Sequence, residues 1–169
     1  LTGVMPSDRV LDVGCGAGRL AGPLTGYLGP TGSYEGFDSS AERIEWCNEN
    51  IAPHHPGFRF VVADVHNGQY NPEAKTKASE YTFPYRDGEF DVVVLTSVFT
   101  HMLPEDTAHY FSEVARVLKP GGRLLATFLL LDDESVRLIV AGKSTIALGH
   151  DRGCYRILDP ARPVDAVGY

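Results

Sequence analysis

Three glycines and one acidic residue lie close together near the start of the sequence, in a pattern that suits a bound ligand. Gly14, Gly16 and Gly18 follow the short, mostly apolar run 10–13, which contains Asp12. Glycines that join a buried strand to a helix leave backbone N–H groups bare at the positive end of that helix. A ligand could therefore lie directly against the main chain at this point.

The spacing of these glycines argues against a bound dinucleotide. A dinucleotide fingerprint reads G-x-G-x-x-G, and its third glycine packs the helix onto the strand. Here the spacing is G-x-G-x-G, and Arg19 stands where that third glycine would fall. The carboxylate of Asp12 would also repel a pyrophosphate, whereas it would attract a ligand that carries an ammonium group. An NAD-dependent oxidoreductase is therefore the weaker interpretation.

Apolar runs alternate with stretches of helical spacing along the chain. Strands are predicted over residues 9–13, 33–37, 58–63, 90–95 and 123–131, and helices over residues 19–28, 39–51, 104–118 and 132–148. This alternation is typical of an α/β fold with a doubly wound, mostly parallel sheet flanked by helices. Right-handed crossovers bring the carboxyl ends of such strands to one edge of the sheet, and hence to one crevice. The residues at those ends are Gly14, Asp38, Asp64 and Thr96.

Three further expectations concern burial and loops. The apolar run 124–131 is predicted to be a buried strand. The helix over residues 104–118 is predicted to turn Phe111, Ala115 and Leu118 inward. The segment 66–88 has no clear period, so it is expected to be a functional lid or a long loop.

The composition is that of an ordinary single-domain globular protein. Of 169 residues, 43% are hydrophobic and 22% are charged, and the formal net charge is −7. Because the basic residues are scattered, a nucleic-acid partner is disfavoured. No apolar run is long enough to span a membrane. The three cysteines are widely spaced and predict neither a disulfide framework nor a metal site, so a cytoplasmic location is expected.

At five places, in the same order, the sequence resembles the class I S-adenosylmethionine-dependent methyltransferases. The segments are VLDVGCGAG (10–18), YEGFDSS (34–40), ADV (63–65), FPYRDGEFDVVVLTSVFTHM (83–102) and EVARVLKPGGRLLATF (113–128). The likeness is nearest to small-molecule methylases of the ubiquinone-biosynthesis-like (type 11) group. It implies a Rossmann-like methyltransferase fold and the cofactor S-adenosyl-L-methionine, which leaves as S-adenosyl-L-homocysteine.

The resemblance assigns the methionine end of the cofactor to the glycine segment. Gly14, Gly16 and Gly18 would let the methionine portion lie against the backbone. Asp12 would face its ammonium group through a water molecule. Thr96 would offer its backbone carbonyl to the same end of the cofactor.

The resemblance assigns the adenosine to the ends of the second and third strands. Asp38 would accept hydrogen bonds from both ribose hydroxyls, Asp64 would bind the adenine amino group, and Val65 would pack on the ring. Cys15 and Ser39 belong to the same cofactor-binding set. Both aspartates could instead be turn or cap residues, and the Cys15 side chain is expected to be a small core residue rather than a nucleophile.

Methyl transfer from a sulfonium needs alignment of the reactants more than acid–base chemistry. A general base is needed only where the acceptor loses a proton, as a hydroxyl oxygen would. His101, after the fourth strand, is the candidate base; the alternative is a histidine that only hydrogen-bonds the adjoining loop. His66 and Tyr85 are further candidates, and the segment 149–155 with His150 could line the acceptor side.

The region after the fifth predicted strand is short for this family, whose sheet has seven strands. Residues 132–169 are therefore expected to form only part of the side that holds a small-molecule methyl acceptor, and the chain is expected to be a piece of a longer protein. The fifth strand would then be an exposed sheet edge, which favours a homodimer. A module that binds the cofactor without catalysis is the alternative function, and a complete seven-stranded sheet would contradict the expected truncation.

Overall fold

A parallel sheet of five strands forms the centre of the computed structural model, which describes residues 3–68 and 70–169. The strands are β1 (Arg9–Val13), β2 (Ser33–Asp38), β3 (Phe58–Val62), β4 (Phe90–Leu95) and β5 (Leu118–Ala126). Their order across the sheet is β3-β2-β1-β4-β5, and every neighbouring pair is parallel. The predicted doubly wound α/β architecture is therefore confirmed.

Four α-helices accompany the sheet in the described part of the chain. They are α1 (Ala21–Thr25), α2 (Ala41–Asn50), α3 (Pro104–Val117) and α4 (Asp133–Val140). Two of them are shorter than predicted: a helix was expected over residues 19–28 where α1 lies, and over residues 132–148 where α4 lies. Gly22 and Gly26 weaken α1 because glycine is a poor helix former. Gly142 ends α4 early because it adopts a φ of +66°, the conformation typical of a helix C-terminus.

The face that α3 turns to the sheet is not the predicted one. Tyr110 and Val114 are 4% and 2% exposed, whereas Phe111 is 39% exposed. The prediction that Phe111 and Ala115 point inward is therefore wrong by one position, which is about 100° around a helix. Leu118 lies beyond α3, at the start of β5, and does pack against the core. Both faces carry apolar residues, so only packing against the sheet could decide between them.

β5 lies earlier in the sequence than predicted. The strand was expected over residues 123–131, but the segment 119–122 already belongs to it and makes an irregularity in the pairing with β4. Leu124 and Leu130 are 36% and 75% exposed, so the expected buried strand over 124–131 is wrong. The physical reason is that β5 lies at the edge of the sheet, where β4 is its one neighbour among the described strands.

The segment 66–88 is a loop whose last part is fastened to α3. The Glu113 carboxylate accepts a hydrogen bond from the N–H of Phe83 (2.6 Å), and two bonds from the Arg116 guanidinium reach the same carboxylate. Arg116 also donates to the carbonyl oxygens of Phe83 (3.0 Å) and Tyr85 (2.8 Å). These bonds, above all those from Arg116, hold the pKa of Glu113 below its usual range although burial opposes this.

A second, antiparallel sheet lies beside the end of β5. Its strands are β6 (His150–Asp151), β7 (Arg156–Ile157) and β8 (Val167–Gly168). The N–H of Tyr169 donates to the carbonyl of Leu129 (2.9 Å), and the N–H of Leu131 donates to the carbonyl of Tyr169 (2.6 Å). The described residues thus form five plus three strands rather than one seven-stranded sheet. Within residues 3–68 and 70–169, no helix has the length and apolar character needed to cross a membrane.

Candidate functional site

The loop between β1 and α1 has a backbone conformation that favours glycine. Gly14, Gly16 and Gly18 have φ values of +73°, +55° and +74°. A Cβ atom at Gly14 would lie 2.6 Å from Cγ2 of Val98, and one at Gly18 would lie 2.7 Å from Cδ1 of Ile51. At Gly16, by contrast, no described atom lies within 4 Å of such a Cβ. Gly16 therefore faces open space, where a ligand could contact the backbone.

The expectation that this loop holds bare backbone N–H groups is wrong for most of it. The N–H groups of Gly14 and Cys15 donate to the carbonyl oxygen of Phe37 (2.8 and 3.1 Å). The N–H of Gly18 donates to the carbonyl of Cys15 (3.1 Å). The end of β2 lies close enough to supply these acceptors, which the sequence of the loop could not reveal. Because these N–H groups already have acceptors, a ligand would bind this loop mainly through close contact with its backbone rather than through hydrogen bonds from it.

Asp38, at the carboxyl end of β2, holds the glycine loop against the sheet. Its Oδ2 accepts a hydrogen bond from the N–H of Gly16 (2.9 Å), and its Oδ1 accepts one from the N–H of Ser40 (2.9 Å). The bond to Ser40 forms an Asx turn, so the turn interpretation of Asp38 holds for that oxygen. Each carboxylate oxygen accepts more than one hydrogen bond, so Asp38 keeps capacity for ligand hydroxyls.

Asp12, in β1, is the most deeply buried charged group next to the glycine loop. Its residue is 1% exposed, and its Oδ2 accepts a hydrogen bond from the hydroxyl of Tyr34 (2.6 Å). Its Oδ1 is buried and has no hydrogen-bond partner among the described residues. Burial raises the pKa of Asp12 to about 7, while the bond from Tyr34 opposes this rise. A buried acceptor without a donor costs free energy, so this oxygen suits a ligand that brings a donor.

The side chain of Cys15 turns into the core and away from the crevice. The residue is 5% exposed, and its Sγ would lie 2.9 Å from a Cβ atom at Gly36. Burial raises the pKa of the Cys15 thiol far above its usual range, and it raises the pKa of Cys47 to about 11. Neither thiol has the lowered pKa of a reactive cysteine. This agrees with the interpretation of Cys15 as a core residue whose backbone alone lies in the loop.

The remaining predicted cofactor residues follow β2, β3 and β4. Ser39 and Thr96 are partly buried and follow β2 and β4, the two neighbours of β1 in the sheet. Asp64 is exposed beyond β3, and its charge adds to the effect of burial in raising the pKa of Tyr81. Val65 is 6% exposed and packs in the core. The structure therefore brings the glycine loop, Ser39 and Thr96 to adjacent strand ends, with Asp64 at the outer strand.

The loop after β4 contains a strained residue that sequence reasoning missed. Of the non-glycine residues in the described ranges, Ser97 alone has a positive φ, at +60°. Its N–H donates to Oγ1 of Thr127 (2.8 Å), just beyond β5. The next residue, Val98, is the one that closely approaches Gly14. Strained backbone clusters at functional sites, but nothing in the sequence marks this serine.

The candidate base and its alternatives are spread over different loops. His101 is exposed, and its Nδ1 lies 3.0 Å from the carbonyl oxygen of Val164 in the C-terminal segment. His66 is also exposed, with Nδ1 3.2 Å from the carbonyl oxygen of Ala74. The hydroxyl of Tyr85 is buried and has no hydrogen-bond partner in the described part of the chain. His101 therefore does hydrogen-bond a neighbouring segment, and that contact ties the C-terminal region to the end of β4.

This fold, with a glycine loop after β1 and an acidic residue ending β2, defines a Rossmann-like methyltransferase class. A family model described as a methyltransferase domain matches residues 10–122. The chain belongs to this family, the class I S-adenosylmethionine-dependent methyltransferases.

Several characterised methyltransferases are similar to this chain. Phthiotriol/phenolphthiotriol dimycocerosates methyltransferase 1 of Mycobacterium ulcerans is 36% identical over 132 residues, covering 77% of this chain and 41% of that protein. The 27-O-demethylrifamycin SV methyltransferase of Amycolatopsis mediterranei is 31% identical over 158 residues, covering 88% and 52%. A SAM-dependent methyltransferase from Aquifex aeolicus shares the fold, with a TM-score of 0.58, 21% identity and coverage of 74% and 58%. The chain thus spans about half the length of these curated relatives, or less.

Proposed function

We propose that this chain binds S-adenosyl-L-methionine beside the glycine loop and serves methyl transfer to a small-molecule acceptor. The observation that carries the proposal is the unpaired, buried Oδ1 of Asp12, two residues before the loop in which Gly16 faces open space. The cofactor carries an ammonium group, which is the donor that this oxygen lacks. A dinucleotide would instead bring a pyrophosphate, which the Asp12 carboxylate repels.

The other contacts of the cofactor are proposed for the neighbouring strand ends. Asp38 has lone pairs left for the ribose hydroxyls beyond its bonds to Gly16 and Ser40. The exposed carboxylate of Asp64 is free to meet an adenine amino group. Val65 is 6% exposed, so only a small part of it could contact the ring. The Thr96 carbonyl is proposed for the methionine end, and Ser39 for the ribose side.

The bound cofactor supplies a methyl group on a sulfonium, which is already a good leaving group. The chain would hold the acceptor in line with it and exclude water. A hydroxyl oxygen is the proposed acceptor atom, a choice supported by the Amycolatopsis mediterranei relative, whose name, 27-O-demethylrifamycin SV methyltransferase, refers to an O-demethylated compound. If Nδ1 of His101 donates to the carbonyl of Val164, its Nε2 is an acceptor that could take the proton of that hydroxyl.

We also propose that the chain forms a homodimer and lies in the cytoplasm. β5 lies at the edge of the sheet that residues 3–68 and 70–169 form, and this position and the 36% exposed Leu124 support a homodimer formed through that edge. Residues 132–169 are proposed as part of the acceptor side and of one single domain, because Tyr169 pairs with the backbone beyond β5. Free Cys15 and Cys47 agree with a reducing cytoplasm. Light scattering after gel filtration should report twice the mass of the chain, and a monomer would refute the dimer.

Calorimetric titration with S-adenosyl-L-homocysteine and with NAD tests the cofactor. We expect heat of binding with the first ligand and none with the second, and binding of NAD alone would overturn the proposal. A methyl-transfer assay with hydroxyl-bearing acceptors tests the reaction. Binding of the cofactor without transfer to any acceptor would favour the alternative, a module that binds the cofactor without catalysis.

A further inference from the structure

Tyr34 lies wholly in the core, yet its hydroxyl reaches the cofactor site. The residue is 0% exposed, and its ring stacks on Phe58 and packs against Phe60, with centroids 5.2 and 5.6 Å away. A Cβ atom at Gly36 would lie 3.0 Å from Cε1 of Tyr34, so the ring passes over this glycine of β2. The hydroxyl thereby meets Oδ2 of Asp12 at 2.6 Å.

The hydroxyl of Tyr34 is not needed for packing. A phenylalanine would fill the same space and keep both ring contacts, since within residues 3–68 and 70–169 the hydroxyl bonds to Asp12 alone. That bond engages one carboxylate oxygen and leaves the other, Oδ1, unpaired. It also fixes the orientation of the buried carboxylate. Asp12 thus has one oxygen bonded within the protein and one, Oδ1, that has no partner among the described residues.

We propose that Tyr34 is a positioning residue for the cofactor: its hydroxyl bonds to Oδ2 and orients the Asp12 carboxylate, so that Oδ1 can accept from the cofactor's ammonium group. This inference rests on the proposed function. Cofactor binding is then coupled to the ionisation of Asp12, and Tyr34 sets the pH at which the coupling acts.

The charged surroundings of Asp12 agree with this coupling. The ionisable groups that face it are Tyr34 and Asp38 of β2, Arg19 before α1, and the thiols of Cys15 and Cys47. On the other side, β4 contributes the apolar Val94 at the paired position. Burial raises the pKa of Asp12 to about 7, and the bond from Tyr34 is the largest effect that opposes burial. Loss of the hydroxyl must therefore raise this pKa further, because an ionised carboxylate loses its donor.

The test is the affinity for S-adenosyl-L-homocysteine, measured by calorimetry between about pH 6 and pH 8.5. Wild-type affinity should rise with pH through neutrality as Asp12 ionises. In Tyr34→Phe the rise should move to higher pH, which weakens binding at pH 7 by about fivefold for the first unit of displacement, by about tenfold for each further unit, and less at the alkaline end. The matched control is Tyr27→Phe, since Tyr27 is 46% exposed and its hydroxyl donates to the carbonyl of Val4. It should bind as the wild type does.

Each outcome decides the inference. An unchanged pH profile in a folded Tyr34→Phe variant, or a loss that is equal at every pH, would overturn it and leave the proposed function intact. Absence of binding to the wild type at any pH would overturn the proposed function itself. If Tyr34→Phe does not fold, Asp12→Asn replaces it: weaker binding that no longer varies over this pH range supports the inference, and a wild-type profile refutes it.

Discussion

Replacing Gly16 with alanine separates two effects: the cost of the backbone conformation to stability, and the effect of an added methyl group on ligand binding. The φ of +55° at this position costs an alanine about 1–2 kcal/mol. The added methyl group meets no described atom within 4 Å, so no steric cost arises inside the protein. We therefore expect Gly16→Ala to lower the free energy of unfolding by only about 1–2 kcal/mol. The methyl group would instead enter the space proposed for the cofactor, and affinity should fall by at least about tenfold, or 1.4 kcal/mol.

Two other glycines give matched controls for this variant. Gly22→Ala in α1 also meets nothing within 4 Å, but its φ is not positive, so it should stabilise the protein by about 0.5–1 kcal/mol and leave affinity unchanged. Gly18→Ala adds contacts with Ile51 (2.7 Å) and Cys47 (3.3 Å) to the backbone strain, so it should destabilise by about 2–3 kcal/mol.

Urea unfolding and calorimetric titration with S-adenosyl-L-homocysteine measure both quantities in all three variants. Wild-type affinity in Gly16→Ala would refute the location of the ligand. A loss of stability as large as that in Gly18→Ala would refute the open space at Gly16.

Three further variants probe the site and its support. Asp12→Asn should stabilise the ligand-free protein more at pH 8 than at pH 5. Because the pKa of Asp12 is raised in the folded state, its ionisation opposes folding increasingly from about pH 4 to pH 7, by up to about 4 kcal/mol. An equal gain in the free energy of unfolding at both pH values, measured in urea, would contradict this. Glu113→Gln should lower the free energy of unfolding by about 2 kcal/mol at pH 7, since it breaks a half-buried pair with Arg116. Because the pKa of Glu113 is lowered, that difference should shrink as pH falls below about 4, whereas the exposed Glu134→Gln should cost less than about 1 kcal/mol. His101→Ala should reduce transfer to a hydroxyl acceptor by about 100-fold and leave cofactor affinity within about twofold, and full activity would exclude it as the base.

The architecture and the place of the glycine loop could be predicted from the sequence. β1 and β4 have the predicted bounds, because short, mostly apolar runs rich in branched residues favour a buried parallel strand. Gly14, Gly16 and Gly18 could be singled out because their backbone conformation is local and unfavourable for other residues. The bounds of these strands and the conformation of these glycines depend on residues that are close in the sequence, so they can be predicted from the sequence alone.

Only the tertiary structure decided which groups from distant segments meet. The donors of the glycine loop are satisfied by the end of β2, and Tyr34 reaches Asp12 from 22 positions away. The inward face of α3 and the early start of β5 likewise depended on packing against the sheet. The strain at Ser97 has no local cause in its own sequence and coincides with its contact to Thr127. Pairings across the fold depend on register and burial, which no local pattern of residue types encodes.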